Sequence, residues 1–447
     1  MAGMCFDGEN KVEEKQKKMM ILGASALQVP AIKKAKELGY QIILVDYDEN
    51  AVGFALADVK LVVSTLDQEE VYRQALIYQP DVVMTSTSDG PVRTAAYVNE
   101  KLGKRPDLSY ENAICATIKS KMRDRLKACG VPIPEYYAAA DYEAFSEAVD
   151  ELDGDCIVKP ADNAGSRGVV HFDYPRQQGA YQSQLENETA ALERSAERLA
   201  AYYKNLVEFK NKTYRYSRSN ARNGTVMVEE YMHGPEVSVE IMVIEGEPHI
   251  LTITDKYITP PPYFVELAHC EPSRLDAKTQ EDIRQVAIQA VKAIGIENAP
   301  AHVEIKVTEE GAKIVELAAR LGGDFITSRL VPLSTGIDMV GASVLLATGE
   351  VPELTPKWDR GAAIHFIHAG QEQEGVLTRI IVPDALYGQV GVEEISLYKK
   401  PGDPVQGTHS SNDRLGHVIT TGETAEQAME LGKRVMAQIQ VEIQHER

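Results

Sequence analysis

The sequence predicts an α/β fold with a Rossmann-like first domain, a larger α+β region and a small C-terminal α+β unit. Three observations predict it. Short apolar runs alternate with helical patterns early in the chain, a polar hairpin pattern lies around Glu310, and further apolar runs follow Gly361. At 447 residues the chain is too long for one ordinary core, so we expect two to four domains.

Composition narrows the class of ligand. The formal net charge is -20, from 47 Lys and Arg residues against 67 Asp and Glu residues. Nucleic-acid binding rests on clustered positive charge, so we expect small-molecule ligands and no nucleic acid. No apolar run approaches the roughly 20 residues that span a bilayer, so we expect no membrane segment.

Cysteine usage and the first residues bear on the compartment. The five cysteines are scattered and include no CxxC pair, so we expect neither a disulfide scaffold nor a zinc site. We expect the protein to lie in the reducing cytoplasm. Residues 1–18 mix four lysines with acids and lack the apolar core of a signal peptide. We expect them to form a disordered leader.

The first domain is predicted at residues 19–112. An apolar run from Met19 to Leu22 ends in a small-residue turn at Gly23, a helical pattern runs to Leu38, and a second apolar run covers Gln41 to Val45. This order is that of a Rossmann-like βαβ unit. The dinucleotide fingerprint requires three glycines and only Gly23 is present, so a nicotinamide cofactor is not expected.

Two further strands are predicted in this domain, at Val59 to Val63 and at Asp81 to Met84. The second leads into a polar loop that ends at Gly90 and enters a helix. Such a loop lies at the carboxyl edge of a parallel sheet, where ligands commonly bind, although ordinary helix capping by Ser88 or Asp89 explains it too.

The next region, predicted at 113–358, begins with a helix from Ala113 to Ala128. A strand at Cys156 to Pro160 then leads into a small-residue loop from Ala161 to Val170. Glycines on both sides of Ser166 allow backbone N–H groups to turn toward phosphate oxygens, while a plain hairpin turn remains the alternative.

The middle of this region alternates helical and basic patterns. Thr189 to Phe209 is predicted as an amphipathic helix, and Lys210 to Gly224 as a polar, basic loop that either folds over an anion or is solvated. Val226 to Met232 and Glu236 to Ile244 are predicted strands. Asp255 to Arg274 is predicted to be irregular, with its proline-rich centre lining a pocket or crossing the surface.

The hairpin between Ala301 and Arg320 carries the most specific pattern. His302, Glu304 and Lys306 share one face, and a turn at Glu310 places Glu316 directly opposite Glu304. On the returning strand the alternation groups Ile314, Glu316, Ala318 and Arg320. The like-charged glutamates indicate a cation between them, for which magnesium is well suited, or else a solvated hairpin face.

The C-terminal unit is predicted at 359–447. A helical stretch from Pro332 to Leu346 precedes it. Thr424 and Gln427 form a possible capping box for a last helix that ends near Ile443.

Taken together these motifs resemble the ATP-grasp superfamily. They are the lysine before a glycine loop (Lys159), the strand that ends in Glu229 and Glu230, and the hairpin carboxylates. The segment ELAARLGGDFI most resembles the carboxylate–amine ligase branch, which includes L-amino acid ligases. The resemblance implies a pre-ATP-grasp first domain, a two-lobed ATP-grasp fold with a lid at about 135–230, the cofactors ATP and Mg²⁺ or Mn²⁺, and a possible homodimer through the first domain.

The resemblance assigns nucleotide-binding residues by position. Lys119, with Lys121 as an alternative, resembles the first ATP lysine, and Lys159 the second lysine, which bridges phosphates and assists catalysis. The remaining nucleotide positions, from the lid to the ribose-binding acid, are Ser166, Gly168, Glu229, Glu230, Met232 and Glu236. Glu229 matches the residue that receives the adenine amino group.

The metal positions follow from the same resemblance. Glu304 and Glu316 match the metal ligands, and Arg320 matches the arginine that stabilises the reacting group. Ala318 replaces the usual asparagine, which leaves the number of metal ions open. Substrate contacts are predicted from position alone: His302 beside Glu304, for which a packed structural histidine is the alternative, Lys256, His269 and Arg274 near the proline-rich segment, and Gly322 and Gly323 after the hairpin.

The activity implied is ATP-dependent ligation. A carboxylate substrate would be converted to an acyl phosphate and then to an amide or peptide by an amine substrate, with release of ADP and phosphate. Two alternatives remain at this point: bicarbonate activation of the biotin carboxylase type, and nucleotide binding without turnover.

Overall fold

The structure is a computed structural model that describes residues 16–104, 108–163, 167–173, 189–261, 263–370 and 373–444. It has the predicted fold class. The described strands form four sheets: one in the first domain, one in the lid, a long central sheet, and a small sheet near the C-terminus. Residues 1–15 of the predicted leader lie outside the described residues, and its last residue, Lys18, begins the first strand.

The first domain has a parallel sheet whose strands are ordered β3-β2-β1-β4. Its elements are β1 (Lys18–Leu22), α1 (Val29–Glu37), β2 (Gln41–Asp46), β3 (Val59–Val62), α2 (Gln68–Tyr78), β4 (Val82–Met84) and α3 (Gly90–Lys101). Met19–Leu22 of β1 and Ile42–Val45 of β2 are apolar and buried, as is typical of a parallel sheet with both faces covered. The predicted strands of this domain are confirmed.

A linking pair of helices, α4 (Tyr110–Cys115) and α5 (Lys119–Ala128), leads to the lid. The prediction of one continuous helix from Ala113 to Ala128 is wrong, because the helix is interrupted between Cys115 and Lys119. The lid contains β5 (Tyr136–Ala139), α6 (Tyr142–Glu151), β6 (Asp155–Pro160), β7 (Val170–Asp173), α7 (Thr189–Ser219) and β8 (Val226–Glu230). Its antiparallel sheet is ordered β5-β8-β6-β7.

The basic segment after Phe209 is mostly helical, which corrects its prediction as a loop. α7 continues to Ser219, and Lys210 lies buried with its ammonium 2.8 Å from Asp150 and 2.9 Å from the Ser146 hydroxyl. A lysine buried against a neighbouring helix packs the lid and is not available to fold over an anion.

The central sheet has eight strands, ordered β13-β12-β9-β10-β11-β14-β18-β16. Its elements up to the predicted C-terminal unit are β9 (Glu236–Ile244), β10 (Glu247–Ile258), β11 (Glu266–Glu271), α8 (Ala277–Ile294), β12 (Pro300–Thr308), β13 (Gly311–Ala318), α9 (Val331–Thr335) and α10 (Met339–Ala347). Asp255 to Arg274 was predicted to be irregular, but half of it lies in β10 and β11. The predicted helix from Pro332 is two helices, α9 and α10.

The C-terminal unit continues the central sheet and adds a small one. Its elements are β14 (Gly361–Ile367), β15 (Gly375–Ile381), β16 (Val392–Leu397), β17 (Pro404–Val405), β18 (Gly416–Gly422), α11 (Ala425–Met436) and β19 (Gln440–Gln444). β15, β17 and β19 form the small sheet. Thr424 caps α11 as predicted, but the helix ends at Met436 and a strand follows it, so its predicted end near Ile443 is wrong.

One long-range contact fixes the first domain against the rest of the chain. α10 packs on the same face of the first sheet as α1, with Met339, Val344 and Leu346 in one core with Ile21 and Leu44. Among the described helices none is by itself long and apolar enough to cross a membrane, and one bent pair, Ile326–Thr335 with Met339–Ala347, meets the length and composition test together.

Candidate active site

Two cavities meet where the lid, the first domain and the central sheet come together. The smaller, of about 140 Å³, lies between the lid sheet and the central sheet. The larger, of about 780 Å³, lies between the lid and the first domain. Both are lined by Lys119, Asn163, Arg167 and Glu316, so these residues form their common wall.

Lys119 lies at this common wall as the first residue of α5, directly after the interruption between α4 and α5. Its backbone N–H donates to the Ala161 carbonyl oxygen at 2.8 Å, and its ammonium donates to Glu316 Oε1 at 2.7 Å and to the Asn163 carbonyl at 2.8 Å. Burial opposes the charge, but the neighbouring Glu316 carboxylate raises the pKa of Lys119. Lys121, the alternative, is exposed and lines neither cavity.

Lys159 reaches the smaller cavity from β6 and shares Glu229 with an arginine. The Glu229 carboxylate accepts two hydrogen bonds from Arg123, both at 3.0 Å, and lies 2.6 Å from the Lys159 ammonium. Burial opposes ionisation of Glu229, but Arg123 and Lys159 lower its pKa to about 2. The pKa of Lys159 is lowered, because the effect of burial is larger than the opposing effect of the Glu229 carboxylate, which Arg123 also binds.

The Glu229 carboxylate is occupied by contacts within the protein. Both oxygens of its carboxylate already have cationic partners within the protein. Its side chain therefore fixes Lys159 in place. Arg123 was not singled out by the sequence, although it lies four residues after Lys119, on the same face of α5.

The hairpin places its two glutamates as predicted. Glu304 on β12 pairs with Glu316 on β13, and both line the smaller cavity. The register shifts between Glu304 and Ile305, so that Ile305 pairs with Ile314 and Val315 is an additional residue. Ile314 therefore points into the core while Glu316 faces the cavity. The predicted grouping of Ile314 with Glu316 is wrong because of this β-bulge.

Lys256 lies among three carboxylates beside the hairpin. Its ammonium is 2.7 Å from Glu236, 2.8 Å from Glu304 and 3.8 Å from Glu266. Burial opposes its charge, but these carboxylates hold the pKa of Lys256 well above its usual value. Lys256 was predicted as a substrate contact, and the structure places it in the smaller cavity.

His302 is packed between two acids. Its Nδ1 is 2.7 Å from Glu240 and its Nε2 is 3.4 Å from Glu304. Burial lowers and Glu240 raises the pKa of His302, with a net rise to about 9. A Cβ atom at Gly322 would lie 2.7 Å from His302 Nδ1, so the close approach of that chain requires glycine, whereas Gly323 faces open space.

Arg320 connects the hairpin to the first domain. Its guanidinium binds Asp89 through two hydrogen bonds, of 2.7 and 3.2 Å. Burial opposes ionisation of Asp89, but Arg320 lowers the pKa of that carboxyl. Asp89 precedes α3 without capping it through its side chain, so the capping explanation is wrong for this residue.

The other proposed substrate residues lie apart from the two cavities. His269 Nε2 is 3.3 Å from Asp324, which also accepts two hydrogen bonds of 2.8 Å from Arg414. Arg274 binds Asp255 and Tyr257. Neither His269 nor Arg274 lines either cavity.

The remaining nucleotide positions are partly described. Glu230, Met232 and Glu236 line the smaller cavity, as does Phe264 from the proline-rich segment. Ser166 lies outside the described residues. Gly168 has a φ of +81°, and a Cβ atom there would lie 2.6 Å from the Cβ of Asn220, so only glycine fits without rearrangement.

Comparison with known families agrees with this geometry. Residues 193–328 match the family described as an ATP-grasp domain. The chain contains an ATP-grasp domain. Residues 365–444 match the family described as L-amino acid ligase C-terminal domain 2, so the resemblance found in the sequence is confirmed.

Relatives of known sequence are distant. An uncharacterised protein y4rH of Sinorhizobium fredii is 28% identical over 72% of this chain and 60% of its own length. The alanine–anticapsin ligase of Bacillus subtilis strain 168 is 26% identical over 57% of this chain and 51% of its own length. The chain thus spans about half the length of the second relative and 60% of the first.

Two solved structures share the fold over 96% of this chain. The L-amino acid ligase of Bacillus licheniformis superposes with a TM-score of 0.73 at 19% identity, covering 96% of this chain and 100% of that one. The phosphoribosylglycinamide synthetase of Anaerococcus prevotii gives a TM-score of 0.70 at 20% identity, with coverage of 96% and 100%. Identities this low establish the fold alone.

The carboxylates of the ATP-grasp domain suit a magnesium ion that is bound together with a nucleotide. Within the described ranges no group of three or more His, Cys, Asp or Glu residues is arranged to hold a metal ion. Two carboxylates, Glu304 and Glu316, face one cavity from neighbouring strands. Magnesium is commonly held by one or two carboxylates together with substrate phosphate oxygens, so these two residues suit an ion that arrives with a nucleotide.

Proposed function

We propose that the protein is an ATP-dependent carboxylate–amine ligase that forms an amide or peptide bond through an acyl phosphate and releases ADP and phosphate. One observation carries the proposal. Glu304 and Glu316 lie opposite each other at a cavity that also contains the Lys119 and Lys159 ammonium groups. Cations for phosphates and carboxylates for magnesium are the groups that phosphoryl transfer requires.

The proposed reaction uses this chain's residues as follows. A carboxylate oxygen of one substrate attacks the γ-phosphorus of ATP, and the bond between that phosphorus and the bridging oxygen of ADP breaks. Lys119 and Lys159 are placed to bind the phosphate oxygens on which negative charge develops. Magnesium held by Glu304 and Glu316 would neutralise part of that charge.

In the second half-reaction the amine attacks the acyl carbon, inorganic phosphate leaves, and the ammonium proton passes to solvent or a base. Arg320 lines the larger cavity and is our choice for stabilising the oxyanion that forms. Buried guanidinium groups remain charged throughout the working pH range, which suits this role.

The test is phosphate release from ATP with pairs of amino acids, in the presence and absence of bicarbonate, with products identified by mass. We expect release that depends on an amine. Lys119→Met should abolish it, while Lys121→Met, two residues along the same helix and exposed, should retain it. Release that requires bicarbonate but no amine would favour a carboxylase, and ATP binding without any release would overturn the ligase proposal.

Assembly and location are part of the proposal. We propose a homodimer through the first domain, where β3 is the edge strand of its sheet and Val62, Leu76 and Ile77 are exposed. Sedimentation of a Val62→Lys variant tests it, since a monomer is then expected. We propose a reducing compartment such as the cytoplasm, in keeping with free thiols at Cys115, Cys129, Cys156 and Cys270.

A further inference from the structure

The larger cavity contains two arginines without a partner. Arg93 on α3 is half-buried, and its Nε atom is buried without a hydrogen-bond partner. Arg222 approaches the same cavity from the segment after α7. Across the described part of the chain, neither guanidinium takes part in an ion pair or a hydrogen bond, in contrast to Lys119 and Arg320, which line the same cavity.

The two arginines are brought to one place by the first turn of α3. A Cβ atom at Gly90 would lie 3.6 Å from Arg222 Nη1, so this guanidinium rests over the start of the helix. Arg93 is three residues further on, on the same helix face, and helical side chains lean toward the N-terminus. Arg93 and Arg222 thus bring two positive charges to the lining of one cavity, an arrangement that an anion would stabilise.

Within the described residues the carboxylates that line this cavity, including the exposed Asp48, form no ion pair with Arg93 or Arg222. Asp46 accepts hydrogen bonds from the backbone N–H groups of Ala24 and Asp48, at 2.7 and 3.0 Å. Asp162 accepts two from the backbone of Arg222 and Asn223, both at 2.9 Å. Asp162 thus fixes the backbone of Arg222 at the cavity rim without neutralising its side chain.

The N-terminus of α3 adds to the positive potential at this point. The helix has 12 residues and no side-chain cap, because Asp89 is bound to Arg320. The first turn of an uncapped helix carries a partial positive charge and favours anions. It contributes here together with the two guanidinium groups.

We propose that Arg93 and Arg222 bind an anionic group, a carboxylate or a phosphate monoester, on the amine substrate. This inference rests on the proposed function. In the proposed reaction the nucleotide would occupy the smaller cavity and the carboxylate to be activated would lie at the common wall, so the amine would approach from the larger cavity. Arg93 lies about one helical turn, about 5.4 Å along the axis, beyond the start of α3, where Asp89 binds Arg320. We therefore choose test amines whose amino group and anionic group are a few bonds apart.

The test compares amines that carry an anionic group with analogues that lack the negative charge. Phosphate release is measured with each standard amino acid as the carboxylate donor, and with β-alanine, β-alaninamide, O-phosphoethanolamine or ethanolamine as the amine. We expect an anionic amine to be used and its neutral analogue to be poor. The β-alanine and O-phosphoethanolamine arms distinguish a carboxylate from a phosphate.

Variants then assign the effect to the two arginines. Arg93→Gln and Arg222→Gln should each raise the KM for the anionic amine by about tenfold to a hundredfold, since charge-assisted hydrogen bonds are lost, with the KM for ATP nearly unchanged. Arg73→Gln, an exposed residue of α2 in the same domain, is the matched control and should change neither KM.

Calorimetry separates failure of this inference from failure of the ligase proposal. β-Alanine and O-phosphoethanolamine are titrated into protein that holds a non-hydrolysable ATP analogue with Mg²⁺. If wild-type protein releases no phosphate with any pair, the ligase proposal fails, and binding of these amines that is lost in the double variant still supports the anion site. Equal use of neutral and anionic amines, or equal binding by wild type and double variant, would overturn the inference.

Discussion

Arg123 shows how a buried residue organises the site through another side chain. It is almost fully buried, and its two hydrogen bonds to Glu229 hold the carboxylate against Lys159. A third bond, of 2.7 Å, goes from Arg123 to the Val315 carbonyl at the bulge of β13. One guanidinium thus connects the lid to the hairpin that carries the predicted metal ligands.

Replacing Arg123 with Met should weaken both stability and nucleotide binding. The change leaves a buried carboxylate with one partner fewer, which costs about 3–5 kcal/mol. Arg125→Met on the same helix breaks a solvent-exposed pair with Glu111 and a 3.3 Å hydrogen bond to Asn112, and should cost about 1 kcal/mol. Urea denaturation and ADP titration of both variants check this, and equal stability of the two would contradict it.

Glu271 is another buried acid, but among the described residues it has no cationic partner. It lies at the end of β11, accepts hydrogen bonds of 2.9 Å from Thr254 and Ser334, and is fully buried. Burial, helped by the nearby Glu240, raises the pKa of Glu271 to about 8. The folded protein therefore keeps this carboxyl protonated at neutral pH.

A pH dependence of stability follows. Between its ordinary pKa of 4.5 and about 8, Glu271 is ionised in the unfolded chain and protonated in the folded one. The folded state binds the additional proton, so this residue makes stability fall as pH rises through that window, by at most about 1.4 kcal/mol per pH unit. Above about 8 its contribution no longer changes.

Glu271→Gln should remove that slope. The variant is expected to gain stability relative to wild type between pH 5 and 8, because the amide does not ionise. Chemical denaturation across this range measures it, with the exposed Glu247→Gln as control. Parallel stability profiles for Glu271→Gln and wild type would refute the assignment.

At the level of elements, the hairpin was the most predictable part of the site and also the source of one error. Alternation and the polar turn at Glu310 gave the pairing of Glu304 with Glu316, because period and turn position are local properties. The bulge at Val315 was not predictable, since Val315 has the same apolar character as its neighbours. Similarly, the basic run after Phe209 read as a loop because its burial against α6 depends on distant residues.

The hairpin carboxylates lead to a prediction about magnesium. Glu316→Gln and Glu304→Gln should each weaken Mg²⁺-dependent ADP binding by at least about tenfold, because each removes one oxygen ligand. Glu310→Gln, exposed at the turn of the same hairpin, should have no effect. Titration of Mg²⁺ at fixed ADP checks this, and unchanged affinity in Glu304→Gln and Glu316→Gln would remove these residues from the metal site.

At the scale of the whole molecule, the predicted boundaries capture the order of the units but not how they are joined. The local pattern gives a Rossmann-like domain at 19–112, yet one face of its sheet is completed by α10, more than two hundred residues later. The Arg320–Asp89 pair is a second long-range link. Both depend on contacts that no window of sequence contains, which is why Asp89 was assigned a capping role.

Disrupting that link should affect turnover more than nucleotide binding. Asp89→Asn removes the negative charge that binds Arg320. Asp89 lines the larger cavity and does not line the smaller one. We expect kcat to fall about tenfold or more while the KM for ATP stays within about twofold, in line with a charge-assisted bond of a few kcal/mol. Steady-state kinetics with ATP as the varied substrate decides it, and a rise in the KM for ATP alone would contradict it.

The eight-stranded sheet limits how modular this chain is. β14 pairs with β11 on one side and with β18 on the other, so backbone hydrogen bonds cross the sequence boundary near residue 359. A truncation there would expose the edge of β11 as an adhesive surface for aggregation. Engineers who exchange this unit between relatives therefore need to transplant matching strand edges together with it.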